Sequence, residues 1–219
     1  MAAGSDVRVE AVLLTGGSSR RMGRDKATLP VGGLPMACRI AGALSGAGLA
    51  VTVLGREPIP GVAFVADDAP GQGVLAALSR YEPRGDLVFV AACDLARFDP
   101  RLVALLAEAV GGASAAVPVI DGRPQPVCAL YDRRAMEALP RLVAAGETRL
   151  SRWLDAMKWV PVGEDRFAAA GLDPRCALGA NTPEELIRLL GGDTGGGGSE
   201  RPGAAQQQRQ GRQPGEEAH

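Results

Sequence analysis

Apolar positions along this chain fall into two rhythms. Near-continuous apolar runs occupy Val9–Leu14, residues 51–54, 62–65 and 87–93, Ala115–Ile120, residues 127–131, and Trp159–Val162. Runs of that length bounded by polar or turn residues read as strands. Between them the spacing shifts to a helical face at residues 35–47, 74–81, 100–110, 134–144 and 150–157. A final helix is announced at Thr182-Pro-Glu-Glu185, a capping box with proline in the first helical position, and runs to 190. The stretch 87–93, Leu-Val-Phe-Val-Ala-Ala-Cys, has no polar position, the pattern of a central parallel strand covered on both faces. Strands alternating with helices predict a single α/β domain, doubly wound in the Rossmann-like manner, with a mostly parallel sheet.

Composition sets the limits of that domain. From residue 191 the chain turns to Gly, Gln, Glu, Arg and Pro, which bury too little apolar surface to offset ordering entropy. The expectation is a folded unit over residues 7–190, a loose leader over 1–6 and a disordered tail over 191–219. Hydrophobic residues make up 46% but aromatics only 4%, so the core must be mostly Ala, Val and Leu. A formal charge of −1 argues against bulk attraction to nucleic acid or anionic membrane. No apolar run approaches a bilayer span, and no signal-peptide core opens the chain, so a cytoplasmic protein is expected.

Two residue types narrow the chemistry. Cys38, Cys93, Cys128 and Cys176 are scattered without a C-x-x-C pair and read as small buried hydrophobes in a reducing compartment. The only histidine is His219, in the tail. Serine triads, histidine–zinc sites and histidine general bases are thereby set aside. Any catalysis must use Asp, Glu, Lys, Arg or a carboxylate-bound metal.

The stretch Thr15-Gly-Gly-Ser-Ser-Arg-Arg-Met-Gly-Arg-Asp-Lys26 leaves the first strand, where open α/β sheets bind ligands. Gly16 and Gly17 permit a sharp turn whose successive N–H groups form an anion nest. Arg20, Arg21, Arg24 and Lys26 crowd positive charge beside it, so the loop reads as a polyphosphate cradle. It is not a Walker A loop, because no Gly-Lys-Ser/Thr follows at the required spacing. A solvated basic turn is the bland alternative. Asp94, at the carboxyl end of the most apolar run, is the best single catalytic candidate. A carboxylate there can hold Mg2+ beside phosphates, since magnesium takes few carboxylates and completes its shell with phosphate oxygens and water. A helix cap is the alternative, although Asp99 before Pro100 suits that role better.

A third element, Asp67-Asp-Ala-Pro-Gly-Gln-Gly73, supports two readings. Asp68 can accept from guanine N1–H and the exocyclic amine together, or it can simply fix an Asp-Pro-Gly turn. Gly71-Gln-Gly-Val-Leu-Ala76 also fits G-x-G-x-x-A, with Asp94 near the offset of a ribose-binding acid. That would make an NAD(P) domain, but it leaves the Arg/Lys-rich loop unexplained. A non-catalytic nucleotide-binding protein on the same fold is the remaining class.

Taken together, Gly16, Gly17, Ser19, Arg21, Met22, Gly23, Asp25 and Lys26 resemble the signature of the molybdenum cofactor guanylyltransferase family, roughly GG-x-S-x-R-M-G-x-D-K. Asp68, Pro70, Gly71, Gly73, Leu75 and Ala76 match its D-x-P-G-x-G-P-L-A-G element, with Val74 and Ala77 departing. Cys93 and Asp94 match its C-D-x-P, with Ala96 in place of proline. Residues 181–185 match the end of its N-x-N-T-P-E-E, with Gly179 at the first asparagine. The resemblance implies transfer of GMP from GTP to the phosphate of molybdopterin, with cytidylyl transfer to the same pterin as the near alternative. It implies nucleotide binding by Leu13, Leu14, Thr15, Gly16, Gly17, Ser19, Lys26, Asp68, Gly73 and Asp94. Catalysis falls to Arg21, Lys26 and Asp94, with Mg2+ on Asp94. Arg123, Gln125 and Asn181 are acceptor-side candidates, against hairpin decoration for the first two and a plain helix cap for the third. GTP and the pterin are the implied partners, along with transient contacts to proteins that mature molybdoenzymes.

Overall fold

The computed structural model describes residues 7–16, 30–31, 33–67 and 71–191. The first strand, β1 (Val9–Leu14), lies between two parallel neighbours, β4 (Ala50–Gly55) and β6 (Leu87–Ala92). Beyond β4 lies β5 (Ala63–Ala66); beyond β6 come β9 (Cys128–Asp132), β7 (Ala115–Ile120) and β10 (Trp159–Val162). Only β9 runs against its neighbours in this row, while a two-residue β8 (Arg123–Pro124) folds back antiparallel on β7. The sheet is therefore mostly parallel, as the apolar pattern predicts. A separate two-stranded ribbon pairs β2 (Pro30–Val31) with β3 (Leu34–Pro35).

Alternation along β1 builds the core on both faces. Ala11 and Leu13 turn toward α1 (Met36–Gly46) and α3 (Arg101–Val110), where Phe89 and Phe98 stack with centroids 5.8 Å apart. Val12 and Leu14 turn toward α2 (Val74–Leu78), α4 (Arg133–Glu137), α5 (Leu139–Ala144) and α6 (Leu150–Asp155). There Trp153 stacks on Tyr131 at 4.3 Å, and the Tyr131 hydroxyl donates to the Pro126 carbonyl at 2.7 Å. Burial raises that phenol above its ordinary range. Glu10 interrupts the apolar run and is the one buried charged residue among those described. Its carboxylate accepts from the Arg84 N–H at 2.7 Å, which meets the requirement that a buried charge be hydrogen-bonded.

Three local features depart from the periodicity. The helix expected over 134–144 is two helices, because Pro140 has no N–H to continue the ladder across the junction. The first begins one residue early, capped by Asp132, whose carboxylate accepts from Ala135 N–H at 2.6 Å. Helix α2 stops at Leu78, and Tyr81 is buried in the segment that follows. Additional to the pattern are α7 (Glu164–Ala169) and a 3-10 turn at Pro174–Ala177. The last helix, α8 (Pro183–Leu190), forms as expected: Thr182 Oγ1 accepts from Glu185 N–H at 3.1 Å, and Glu185 accepts from the Asn181 N–H at 2.6 Å. The tail from 192 onward and residues 1–6 lie outside the described residues. Among those described, no helix is long and apolar enough to cross a membrane.

Candidate active site

Parallel register levels three strand ends, since Leu14 pairs with Leu54 on one side and Ala92 on the other. The chain leaves β1 toward β4 and β5 but returns through β6 on the opposite side, so β1 and β6 flank the switch point of the sheet. Ligands collect at such crevices. The structure stitches their ends together: Cys93 N–H donates to the Leu14 carbonyl at 3.0 Å, and Thr15 N–H donates to the Leu54 carbonyl at 2.8 Å. Thr15 Oγ1 turns back to the same Leu54 carbonyl at 3.3 Å. It occupies a notch that only glycine leaves open, because a Cβ on Gly55 would stand 1.9 Å from that hydroxyl.

One cleft opens beside this edge. Its volume is about 130 Å³, and its walls include Leu14, Gly16, Asp67, Gly73 and Val74. Asp67 N–H donates to the Gly55 carbonyl at 2.7 Å, and its carboxylate faces Gly16, where a Cβ would lie 3.1 Å from Oδ2. Leu14, Gly16 and Gly73 are thus brought together as the sequence suggests. Leu13 turns its side chain away from the cleft, into the core on the opposite face. Gly17, Ser19, Arg21, Lys26 and Asp68 lie outside the described residues. Asp67, which the sequence offers only as the neighbour of Asp68, is a wall of the cleft.

Asp94 stands two residues beyond β6, half-buried. Its carbonyl accepts from the Ala180 N–H at 3.0 Å, which lays the segment before α8 directly along it. Gly179 comes so close that a Cβ there would stand 2.6 Å from Asp94 Oδ1. The Asp94 carboxylate therefore fills the space that a side chain at position 179 would need. Nearby, burial pushes the Cys128 thiol well above its usual range, with Cys176 and the Asp94 charge adding to the effect.

Gly179 also borders a second, wider cleft of about 690 Å³. Arg123, Gln125 and Asn181, far apart in sequence, all line it, as do Arg175, Glu185 and Arg188. Neither Arg175 nor Arg188 stands out in the sequence. Arg175 follows the proline of a 3-10 turn no periodicity marks, and Arg188 reads as ordinary decoration of a helix face. Arg175 is oriented by Asp173, with Nε–O distances of 3.0 Å and Nη2 at 2.8 Å, and these bonds hold the Asp173 carboxyl below its usual range.

Among the described residues no three His, Cys, Asp or Glu side chains converge as a metal cage. Asp94 offers a single carboxylate two residues beyond the end of β6. That donor set suits an ion sharing its shell with nucleotide phosphates. The NAD(P) reading fails on topology. Gly71-Gln-Gly73 follows β5, and β4 and β1 separate that strand from β6 and Asp94. A ribose-binding acid must end the strand next to the glycine loop.

A mostly parallel sheet with a strand-end carboxylate at its switch point is a frame on which α/β enzymes bind nucleotides. Residues 11–162 match the profile of the MobA-like NTP transferase domain, and the chain belongs to that family. A probable molybdenum cofactor guanylyltransferase from Chloroflexus aggregans is 30% identical over 81% of this chain and 91% of its own length. One of the same description from Mycobacterium avium is 32% identical over 74% of this chain and 90% of its own. Among solved structures, molybdopterin-guanine dinucleotide biosynthesis protein A from Archaeoglobus fulgidus superposes with a TM-score of 0.67 at 22% identity, covering 82% of this chain and 96% of that one. The 2-C-methyl-D-erythritol 4-phosphate cytidylyltransferase of Thermus thermophilus gives 0.59 at 20% identity over 82% and 96%. These two likenesses speak to the fold.

Proposed function

We propose that this protein transfers GMP from GTP to the phosphate of molybdopterin, releasing pyrophosphate and forming the guanine dinucleotide. The observation that carries the reading is the position of Asp94. Its preceding residue is hydrogen-bonded to the strand that opens the nucleotide loop, and its own backbone is bonded to the segment that lines the wider cleft. A group at that point lies between the strand that leads to the nucleotide loop and the segment that borders the wider cleft. The names of the relatives supply the acceptor class.

In this reading Arg21, Lys26 and the N–H groups around Gly16 and Gly17 hold the triphosphate. Gln125, Arg123 and Asn181 hold the acceptor in the wider cleft. An oxygen of the acceptor phosphate bonds to the α-phosphorus as the bond to the β-phosphate oxygen breaks, and the electron pair leaves on pyrophosphate. The acceptor is already ionised, so no general base is needed, which suits a chain whose only histidine is His219. Arg21 and Lys26 neutralise the departing charge. Asp94 would hold Mg2+, which when bound would supply further charge neutralisation. We place the reaction in the cytoplasm and the catalytic unit within residues 7–190. The test is purified protein with each of four NTPs, Mg2+ and molybdopterin, assayed for pyrophosphate and dinucleotide. GTP alone should give both products; product from CTP alone would make it a cytidylyltransferase, and none from any NTP would refute transfer.

A further inference from the structure

We propose that Arg39 is a positioning residue for Asp94, and this rests on the reading of Asp94 as the metal-holding carboxylate. Arg39 lies on α1 among Met36, Ala37 and Ile40, which are buried in the core. Its guanidinium reaches across to the loop after β6. There Nη2 donates to the Leu95 carbonyl at 3.1 Å and to the Ala96 carbonyl. These are the two carbonyls that follow Asp94.

Asp94 is thus held on three sides. The residue before it is bonded to Leu14, its own carbonyl to Ala180, and the two carbonyls after it to Arg39. The first two anchors are backbone to backbone; the third is a side chain. Its Nε is buried without a hydrogen-bond partner. Packing alone does not account for a guanidinium with a stranded donor, whose gain here is the two carbonyls it satisfies. What arginine adds is a terminal nitrogen, Nη2, that donates to two successive peptide carbonyls at once. Fixing them holds the loop immediately after Asp94 and, with the two backbone anchors, limits how far its carboxylate can swing. Groups that orient a metal ligand in this way are worth about 10–100-fold in metal affinity or activity.

Satisfying the buried Leu95 and Ala96 carbonyls is the purely structural alternative, and metal binding separates the two. The probe is Mn2+, titrated into the full chain with a non-hydrolysable GTP analogue and followed by electron paramagnetic resonance. Arg39→Met should weaken Mn2+ about tenfold. Arg39→Lys, which can still donate to a carbonyl, should recover most of the loss. Analogue binding measured without metal should change less than about twofold in both, because Arg39 acts on the carboxylate and not on the nucleotide loop. Unchanged Mn2+ affinity in folded Arg39→Met would overturn the proposal, as would loss of metal-free analogue binding. If Arg39→Met does not fold, Arg39→Gln, which keeps an amide donor, carries the same comparison. If neither folds, Arg39 is a stability residue and the proposal fails. Asp94→Asn is the parallel measurement. Should it leave Mn2+ binding intact, the metal reading of Asp94 fails first; should it weaken Mn2+ while Arg39→Met does not, only the link to Arg39 is lost.

Discussion

The Cα of Gly179 lies against the carboxylate of Asp94 so closely that a Cβ would stand 2.6 Å from Oδ1 and 3.0 Å from Cγ. The atoms met are the end of a side chain, so Gly179→Ala leaves the backbone in place and swings the carboxylate away. Displacements of about 1 Å at a reacting centre cost up to a hundredfold. Turnover should fall about tenfold to a hundredfold, with the melting temperature within about 2 °C of wild type. Steady-state kinetics beside a thermal melt checks this. Full activity in Gly179→Ala would mean that the carboxylate does not work from this position.

Asp94→Asn keeps the shape and removes the charge. It should lower turnover on the order of a hundredfold or more while the fold survives. The measurement is rate against Mg2+ concentration. A variant with wild-type rates at limiting Mg2+ would take Asp94 out of the mechanism.

These residues also show how far the sequence can be read. Asp94 is legible because it ends the most apolar run, and Thr182 to Glu185 because capping has a fixed spacing. The strand and helix pattern follows from periodicity, which is a local signal. The contact of Asp94 with Gly179 and Ala180 is not local: it arises when the chain returns after β10 and α7 to lie along the switch point. Nothing in either segment announces the other. Arg39 is hidden for a related reason, because an arginine on an amphipathic helix usually marks the wet face, and its partners are carbonyls that any sequence possesses. Helix α7 escapes notice because Phe167 is its only buried residue, so no apolar stripe exists to detect.

Thr15 and Gly55 form a size-complementary pair. Gly55→Ala should destabilise by about 1–3 kcal/mol through overpacking against the Thr15 hydroxyl. Thr15→Ala alone loses one long hydrogen bond, at 3.3 Å, and should cost less than about 1 kcal/mol. The double variant should recover more than about 1 kcal/mol of the Gly55→Ala loss, a coupling measurable by denaturant titration in a four-member cycle. Strict additivity would show that the two side chains do not meet.

The cysteines give a pH-dependent prediction. Cys93, Cys128 and Cys176 are buried, whereas Cys38 is only half-buried. Burial pushes the Cys176 thiol up to about 12 and Cys128 well above its usual range. A raised thiol stays protonated below its own pKa, and only the thiolate is the nucleophile. In native protein at pH 8, a disulfide reagent should therefore label Cys38 first and leave Cys128 and Cys176 protected until unfolding. Raising the pH to 9.5 should not release them. Peptide mapping after timed labelling reads this directly, and rapid labelling of Cys128 would contradict the burial.

The last prediction separates two adjacent carboxylates. Asp67 is fixed to Gly55 through its N–H and faces Gly16 across the cleft. Its carboxylate therefore bears on the turn that carries the loop, a part every nucleotide uses. Asp67→Ala should weaken GTP, ITP and CTP by a similar factor and leave base preference nearly unchanged. Asp68, which lies outside the described residues, is the proposed reader of guanine. Asp68→Asn replaces two acceptors with one acceptor and one donor, so it should lower GTP affinity, narrow the gap to ITP, and leave pyrophosphate binding unaltered. Sites built on buried hydrogen bonds discriminate strongly because the wrong base leaves the carboxylate unpaired. Competition binding with GTP, ITP, CTP and pyrophosphate distinguishes the two patterns in one series. If Asp67→Ala erases the preference for GTP over ITP while Asp68→Asn keeps it, the register of base recognition moves by one residue. If neither changes it, base selection must come from backbone groups near Leu13 to Gly16, and specificity for guanine loses its side-chain basis.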